Sequence, residues 1–118
     1  MSAPADTVTM YEYRATVIRV VDGDTIDLAV DLGFRVTFTD RVRLVGVDAP
    51  EIRAPTFDAG RAARTWLDNL ILGRPVTIES HKPATDKYGR WLVTMRLDGV
   101  DVGAALVDAG HATVHTYP

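Results

Sequence analysis

The stretch Arg43-Leu44-Val45-Gly46-Val47-Asp48-Ala49-Pro50-Glu51 divides the chain, because a β-strand ends there and a polar turn begins. Its first half is apolar and β-branched, as suits a mostly buried strand. Pro50 has no amide proton to donate to a sheet, so the strand must end before it. Asp48 and Glu51 therefore lie where a rigid element becomes a turn. Carboxylates there suit a metal ion and an attacking water, but taken alone they are more often part of a solvated turn.

Two strands joined by a tight turn precede this stretch. The alternating run of residues 11–20 stops at Asp22-Gly23, a dipeptide that strongly favours a β-hairpin. A second strand is predicted from Thr25 to Val30, with apolar residues on one face and polar or small residues on the other. The third strand is predicted from about Arg35 to Val47. The pair Asp40-Arg41 interrupts its pattern and suggests a bulge.

An amphipathic helix is expected after the turn, with Asp58 as its N-cap and Gly73 as its stop. Apolar residues recur at helical spacing between these two positions and form a single stripe. The stripe consists of Ala59, Ala62, Ala63, Trp66, Leu67 and Leu70. Trp66 is accordingly assigned to the core rather than to a ligand contact.

The rest of the chain supplies two more strands and a short helix. The strands are predicted at Pro75 to Ser80 and at Arg90 to Leu97, and the helix begins after Asp101 as its cap. This order predicts a mainly β, α+β protein: a five-stranded OB-fold β-barrel with a helix between strands 3 and 4 and a short C-terminal helix. Residues 1–9 are expected to form a loose leader, and residues 10–118 a single domain.

Composition limits the class of protein before any motif is considered. With 118 residues, 47% hydrophobic and 25% charged, the chain is typical of a globular domain. It has no cysteine, which excludes disulfides and thiolate zinc sites, so a metal must bind oxygen or imidazole. No apolar run is long enough to span a bilayer and no secretory signal is visible, so we expect a cytoplasmic protein, or a secreted one if a leader was removed.

The charge balance points to a local rather than a broad site for nucleic acid. The net charge of −3 argues against a protein that grips phosphates over a wide basic surface. Of the 13 basic residues, 11 are arginines, which suit bidentate phosphate contacts. None of the three histidines has metal-ligand spacing, and each is predicted to be a surface or packing residue.

Three polar motifs fall at predicted strand ends: Asp22-Gly23-Asp24-Thr25, the opening stretch, and Asp86-Lys87-Tyr88-Gly89-Arg90. Each alone is better explained as a solvated turn. An EF-hand beginning at Asp22 is excluded, since it requires glycine at Asp27 and glutamate at Gly33. Taken together, the carboxylates would repel one another unless a hard cation such as calcium or magnesium lay between them.

In order and context, these three motifs resemble the staphylococcal nuclease (thermonuclease) family, and the resemblance covers about Tyr13 to His111. It implies an OB-fold phosphodiesterase that uses Ca²⁺, acts on DNA and RNA and leaves 3′-phosphates. By position, Asp24, Asp48 and the carbonyl of Ala49 would bind calcium. The catalytic residues would be Arg43, Glu51 and Arg90, with Glu51 acting on the water and the arginines on the phosphate. Lys87 and Tyr88 would contact substrate, and Asp22 would support the metal ligands.

Two alternatives to an active nuclease remain open. OB-folds also serve as non-catalytic modules that bind nucleic acid or protein, and the acidic balance favours that class. In addition, the hairpin around Leu32 to Asp40 is longer than in the family. We expect a monomer, and the alternative is an oligomer formed through this hairpin.

Overall fold

A closed barrel of five long strands forms the centre of the protein. The computed structural model describes residues 11–85 and 89–115, and the side chains at 82–85 are not described. The elements are β1 (Glu12–Asp22), β2 (Thr25–Asp31), β3 (Thr37–Leu44), β4 (Val47–Asp48), α1 (Phe57–Ile71), β5 (Pro75–Thr85), β6 (Trp91–Leu97), β7 (Val100–Asp101), α2 (Val102–Asp108) and β8 (Thr113–Val114).

The order of strand pairing confirms the predicted OB-fold. Neighbouring strands run β3-β2-β1-β5-β6, and parallel pairing of β3 with β6 closes the ring. Helix α1 lies between the third and fourth long strands, as expected. Strand β4 pairs separately with β8, near the C-terminal end of the described chain. No helix in the described part of the chain is long and apolar enough to cross a membrane.

Alternation along the strands builds the core of the barrel. In β2, Ile26, Leu28 and Val30 are buried, while Asp27 and Ala29 on the other face are only partly covered. This matches the alternation of the sequence. Each fully buried Leu or Ile contributes about 1.5–3 kcal/mol relative to an exposed one, so the alternation fixes which face of each strand turns inward.

The third strand differs from its prediction at both ends and in its middle. It runs from Thr37 to Leu44, and its register with β2 is continuous, so the bulge suggested at Asp40-Arg41 is wrong. The strand starts late because Gly33, Phe34 and Arg35 form a turn with positive φ. Two register shifts occur instead between β1 and β2, where β1 is an 11-residue strand that also pairs with β5.

Helix α1 begins earlier than predicted, and the expected cap is wrong. The N-cap is Thr56, and Asp58 lies inside the first turn. The Thr56 hydroxyl donates to the Glu51 carbonyl (2.8 Å), which anchors the helix start to the preceding turn. The predicted stripe is confirmed in part: Ala63 and Leu67 are buried, and Trp66 and Leu70 pack against the core, but Ala59 and Ala62 are exposed. Gly60 and Ile71 are also buried.

Strand β5 is longer than the sequence indicated. It continues from Pro75 to Thr85, five residues past the predicted end at Ser80, because it resumes pairing with β6 after a register shift. The polar segment between the two predicted strands therefore begins as a strand. Helix α2 confirms its predicted cap, since the Asp101 carboxylate accepts a hydrogen bond from the Ala104 amide (3.0 Å).

Candidate active site

Strand pairing brings the three polar motifs to one corner of the barrel. The first motif forms the turn between β1 and β2, and Thr25 at its end pairs directly with Arg43 of β3. The parallel pairing of β3 with β6 sets Arg43 opposite Leu92 and Val42 opposite Trp91. Arg90, which immediately precedes Trp91, therefore arrives beside the other two motifs.

Asp24 is a buried carboxylate with two hydrogen-bond donors. Only 8% of the residue is exposed. Its Oδ1 accepts from the Thr25 hydroxyl (3.0 Å), and its Oδ2 accepts from the Ala49 amide (2.9 Å). The turn between β1 and β2 is thus fastened to the turn that follows β4. Each carboxylate oxygen has two acceptor positions, so Asp24 keeps capacity for a further partner.

The guanidinium of Arg43 joins two carboxylates. Its Nη2 donates to Asp48 Oδ1 and to the Val47 carbonyl (3.1 Å), and lies 3.6 Å from Asp24 Oδ2. Asp24 and Asp48 therefore approach the same nitrogen from two different turns. Arg43 is itself 8% exposed, so these charges compensate one another in a poorly hydrated place.

Arg90 reaches the same carboxylate through a hydroxyl group. Its Nη1 donates to Thr25 Oγ1 (3.0 Å), and that hydroxyl in turn donates to Asp24. Thr25 is 1% exposed. In the sequence, Thr25 was only the last residue of the first motif and the start of the second strand, with no role of its own. Its part in the network depends on Arg90, which is 65 residues away, and no local pattern signals it.

An open cleft of about 680 Å³ lies beside this network. Its walls include Asp22 and Glu51 together with Arg41, Arg53 and Arg90. Arg41 donates two hydrogen bonds to Asp27 (2.8 and 3.3 Å), and Arg53 forms an ion pair with Glu51. Three arginines therefore line a cleft in an acidic protein, and two of them, Arg41 and Arg53, are paired with carboxylates.

Asp22 lies at the acidic side of the cleft. Partial burial, and then repulsion from Asp24 and Glu51, raise the pKa of its carboxyl above the ordinary value, while Arg90 and Arg64 act in the opposite direction. The first motif therefore does more than form a turn, because it places a second carboxyl group, that of Asp22, near the buried Asp24.

Two glycines allow these turns to pack closely. A Cβ added to Gly23 would lie 2.7 Å from Ala49 Cβ and 2.8 Å from Ala63 Cβ. A Cβ on Gly60 would lie 2.5 Å from the Glu51 carbonyl oxygen. Helix α1 therefore rests directly on the backbone of both acidic turns and fixes the direction in which Glu51 leaves the barrel.

Comparison with known proteins agrees with this geometry. Residues 41–118 match the family model described as staphylococcal nuclease homologue. The chain belongs to the staphylococcal nuclease family. It is 34% identical to a thermonuclease of Staphylococcus intermedius over 103 residues, 85% of this chain and 58% of that protein.

Two further relatives are proteins of Escherichia coli. The chain is 37% identical to Protein ParB over 115 residues, 90% of this chain and 59% of the relative. It is 38% identical to an uncharacterized endonuclease of strain O157:H7 over 105 residues, 88% of this chain and 62% of the relative. The chain thus spans about three-fifths of the length of these proteins.

Most of the residues assigned by the resemblance to staphylococcal nuclease lie at this corner. Asp24, Asp48 and Ala49 meet around Arg43, while Asp22, Glu51 and Arg90 border the cleft. Lys87 and Tyr88 lie outside the described residues, as do residues 1–10, which include the predicted leader.

His115 is a contact that the sequence interpretation missed. Its Nδ1 lies 2.8 Å from Asp48 Oδ2, although the side chain is 36% exposed and so lies at the surface, as predicted. Pairing of β4 with β8 carries it there, and its amide donates to the Gly46 carbonyl (2.8 Å). In contrast, His111 packs against Trp66 at a ring separation of 5.6 Å, as expected.

The chemistry of the donors suits a hard cation. The two aspartates and the neighbouring Ala49 carbonyl offer only oxygen, which favours calcium or magnesium over zinc. Both carboxylates already approach one positive group, the Arg43 guanidinium, which offsets part of their negative charge. Across residues 11–85 and 89–115, no three Asp, Glu or His side chains form a metal-binding group by themselves. A backbone carbonyl and water would have to complete the coordination.

Proposed function

We propose that the chain is a nuclease that hydrolyses phosphodiester bonds of DNA or RNA with Ca²⁺ and leaves 3′-phosphates. The observation that carries the proposal is the continuous set of contacts from Arg90 through Thr25 and Asp24 to Ala49, beside a cleft that holds Glu51. It joins all three motifs in one place. Relatives named thermonuclease and endonuclease support the same activity.

The roles follow from charge and position. Asp24, Asp48 and the Ala49 carbonyl would hold calcium, which supplies a positive charge for the phosphate and lowers the pKa of bound water. Glu51, at the cleft, orients the attacking water and accepts its proton. The water oxygen bonds to phosphorus as its proton passes to Glu51, the bond from phosphorus to the 5′ oxygen breaks, and the 5′ oxygen takes a proton from solvent as it leaves.

The arginines stabilise the charge that develops on the phosphoryl oxygens. Arg90 lines the cleft, and Arg43 lies between the two aspartates. A positioned donor of this kind contributes about 3–4 kcal/mol to a transition state. Lys87 and Tyr88 are proposed substrate contacts, and Asp22 is proposed to support the metal ligands.

A non-catalytic binding module is the second candidate. It is favoured by the pairing of Glu51 with Arg53, and by the engagement of both Asp48 oxygens with Arg43 and His115. In such a module these contacts persist and the cleft only holds phosphates. Salt-sensitive binding of single-stranded nucleic acid, without cleavage at any calcium concentration, would identify a non-catalytic module.

The β2–β3 hairpin is the part of the described chain that bears on the assembly state. We propose a monomer, with this hairpin as the alternative contact between copies. The alternative is supported by side chains of Leu32, Phe34, Val36 and Phe38, all of which are exposed, with Phe34 completely so. Light scattering of the wild type and of Phe34→Ser distinguishes the two states, since a hairpin-mediated oligomer dissociates in the variant.

A calcium titration with product analysis tests the proposed activity. Plasmid DNA, denatured DNA and RNA are incubated with increasing CaCl₂, and matched samples contain EDTA. We expect cleavage that requires calcium and yields fragments whose 3′ ends accept polymerase extension only after phosphatase treatment. A chain that is equally inert with and without calcium would exclude the proposed activity.

A further inference from the structure

We propose that Thr25 is a positioning residue that holds the Arg90 guanidinium in the cleft, an inference that rests on the proposed nuclease function. Thr25 Oγ1 accepts from Arg90 Nη1 at 3.0 Å and donates to Asp24 Oδ1 at 3.0 Å. It therefore connects the arginine of the third motif to the buried carboxylate of the first.

The direction of both hydrogen bonds is fixed by chemistry. A guanidinium has donors and no acceptor, so the Thr25 oxygen must accept from Arg90. The single hydroxyl proton is then available for Asp24, which accepts it as a carboxylate. The other oxygen of Asp24, Oδ2, accepts from the Ala49 amide and so keeps the carboxylate in place. The hydroxyl group thus has one orientation, and this orientation holds the Arg90 guanidinium in place.

The hydroxyl also keeps the arginine apart from the carboxylate. A direct ion pair between Arg90 and Asp24 would point the guanidinium at the aspartate and offset its charge. With Thr25 Oγ1 between them, the guanidinium lines the cleft, where Arg41 also lies. The positive charge of Arg90 therefore lies at the cleft in which the proposed function places the phosphate.

Because Thr25 is buried, a water molecule cannot easily take the place of its hydroxyl group. The residue is 1% exposed, so an isosteric valine leaves little room for a water molecule to restore the two hydrogen bonds. Arg90 then loses one acceptor, and the negative groups of the cleft, Asp22 and Glu51, attract it instead. The expected result is a displaced guanidinium in a barrel that is otherwise unchanged.

The test compares Thr25→Val with Thr25→Ser, which keeps the hydroxyl, and with Thr94→Val as a matched control. Thr94 is a β6 threonine whose hydroxyl contacts His81 at 2.7 Å. We expect Thr25→Val to lower kcat by about 10- to 100-fold with KM changed less than about twofold, as for other groups that orient a reacting side chain. Thr25→Ser should remain within about threefold of wild type, and Thr94→Val should match wild type.

A double-mutant cycle shows whether Thr25 acts through Arg90. In an Arg90→Ala background, Thr25→Val should change kcat by less than about twofold, because the group that it positions is absent. The inference would be overturned if the fold-losses in kcat of the two single variants multiplied in full in the double variant. It would also be overturned by a Thr25→Ser variant as damaged as Thr25→Val, or by a Thr25→Val variant with wild-type kcat.

A measurement independent of turnover separates this inference from the nuclease proposal. Arginine side-chain NMR in EDTA, with Arg90→Ala used for assignment, reports the Arg90 guanidinium directly. We expect its signals to shift in Thr25→Val and to stay near wild type in Thr25→Ser. Wild-type protein without activity would overturn the nuclease proposal, and unchanged Arg90 signals in Thr25→Val would overturn the positioning role.

Discussion

His115 and Asp48 are joined by a 2.8 Å contact between Nδ1 and Oδ2, which fastens the C-terminal strand to a proposed calcium ligand. The contact forms because β8 pairs with β4 and sets Thr113 opposite Asp48. Arg43 holds the other oxygen of the same carboxylate. The rotamer of Asp48 is therefore fixed from two sides by elements that are far apart in the sequence.

Removing this histidine should weaken calcium binding. We expect His115→Ala to raise the calcium concentration for half-maximal cleavage about tenfold, because groups that orient a ligand are worth 10- to 100-fold in affinity. The free energy of unfolding should fall by less than about 1 kcal/mol, since both side chains are substantially exposed. Calorimetric calcium titration checks the affinity, with His81→Gln as control. Unchanged or tighter binding would show that His115 does not orient Asp48.

Close packing of the two acidic turns should make Gly23 intolerant of a side chain. Gly23→Ala would place its Cβ within 2.7 Å of Ala49 Cβ, and overpacking of this kind costs about 1–3 kcal/mol. Denaturation by urea measures the loss. Adding Ala49→Gly removes one of the opposing methyl groups and should recover part of the stability. If the double variant is no more stable than Gly23→Ala, the clash is not the cause.

The two predicted helix caps should differ in their contribution to stability. Asp101→Ala removes an observed cap and should lower the free energy of unfolding by about 1 kcal/mol. Asp58→Ala removes a residue that lies inside the first turn of α1, and only its favourable charge near the helix start is lost, about 0.3–1 kcal/mol at most. Parallel denaturation curves compare them. A larger loss in Asp58→Ala would contradict the observed start of α1.

Neutralising Asp22 should stabilise the protein in the absence of calcium. The raised pKa of its carboxyl means that the folded protein holds this proton more tightly than the unfolded chain does. Stability is therefore lost as pH rises through the raised pKa, and Asp22→Asn avoids that loss. In EDTA the variant should be more stable than wild type at pH 7, and the difference should disappear below the ordinary value of 3.8. A variant less stable at pH 7 would contradict the assignment.

Local patterns predicted most of the barrel because period-two alternation directly reports which face of a strand is buried. The β1–β2 hairpin, the face of β2 and the Asp101 cap all followed from such patterns. The start of α1 did not, because it depends on contacts with the preceding turn: the Thr56 hydroxyl donates to the Glu51 carbonyl, and Gly60 packs on the Glu51 backbone.

The site was predictable only as far as its motifs extend. Charged residues at strand ends indicated a functional site, and the resemblance to the staphylococcal nuclease family assigned a role to each of them. Thr25 and His115 were missed since each acquires its partner through pairing between distant strands: β3 with β6 for the first, β4 with β8 for the second. The first contact depends on closure of the barrel and the second on a separate two-stranded sheet, and a local sequence pattern encodes neither.

The turnover of Glu51→Gln at saturating calcium, compared with Glu79→Gln, tests the central claim most directly. Glu51 borders the cleft, whereas Glu79 is a β5 carboxylate that pairs with Arg96 (3.5 Å). We predict that Glu51→Gln loses at least about 100-fold in kcat, as expected for loss of a general base, and keeps a wild-type melting curve. Glu79→Gln should retain wild-type kcat. Equal turnover in the two variants would contradict a catalytic role for Glu51.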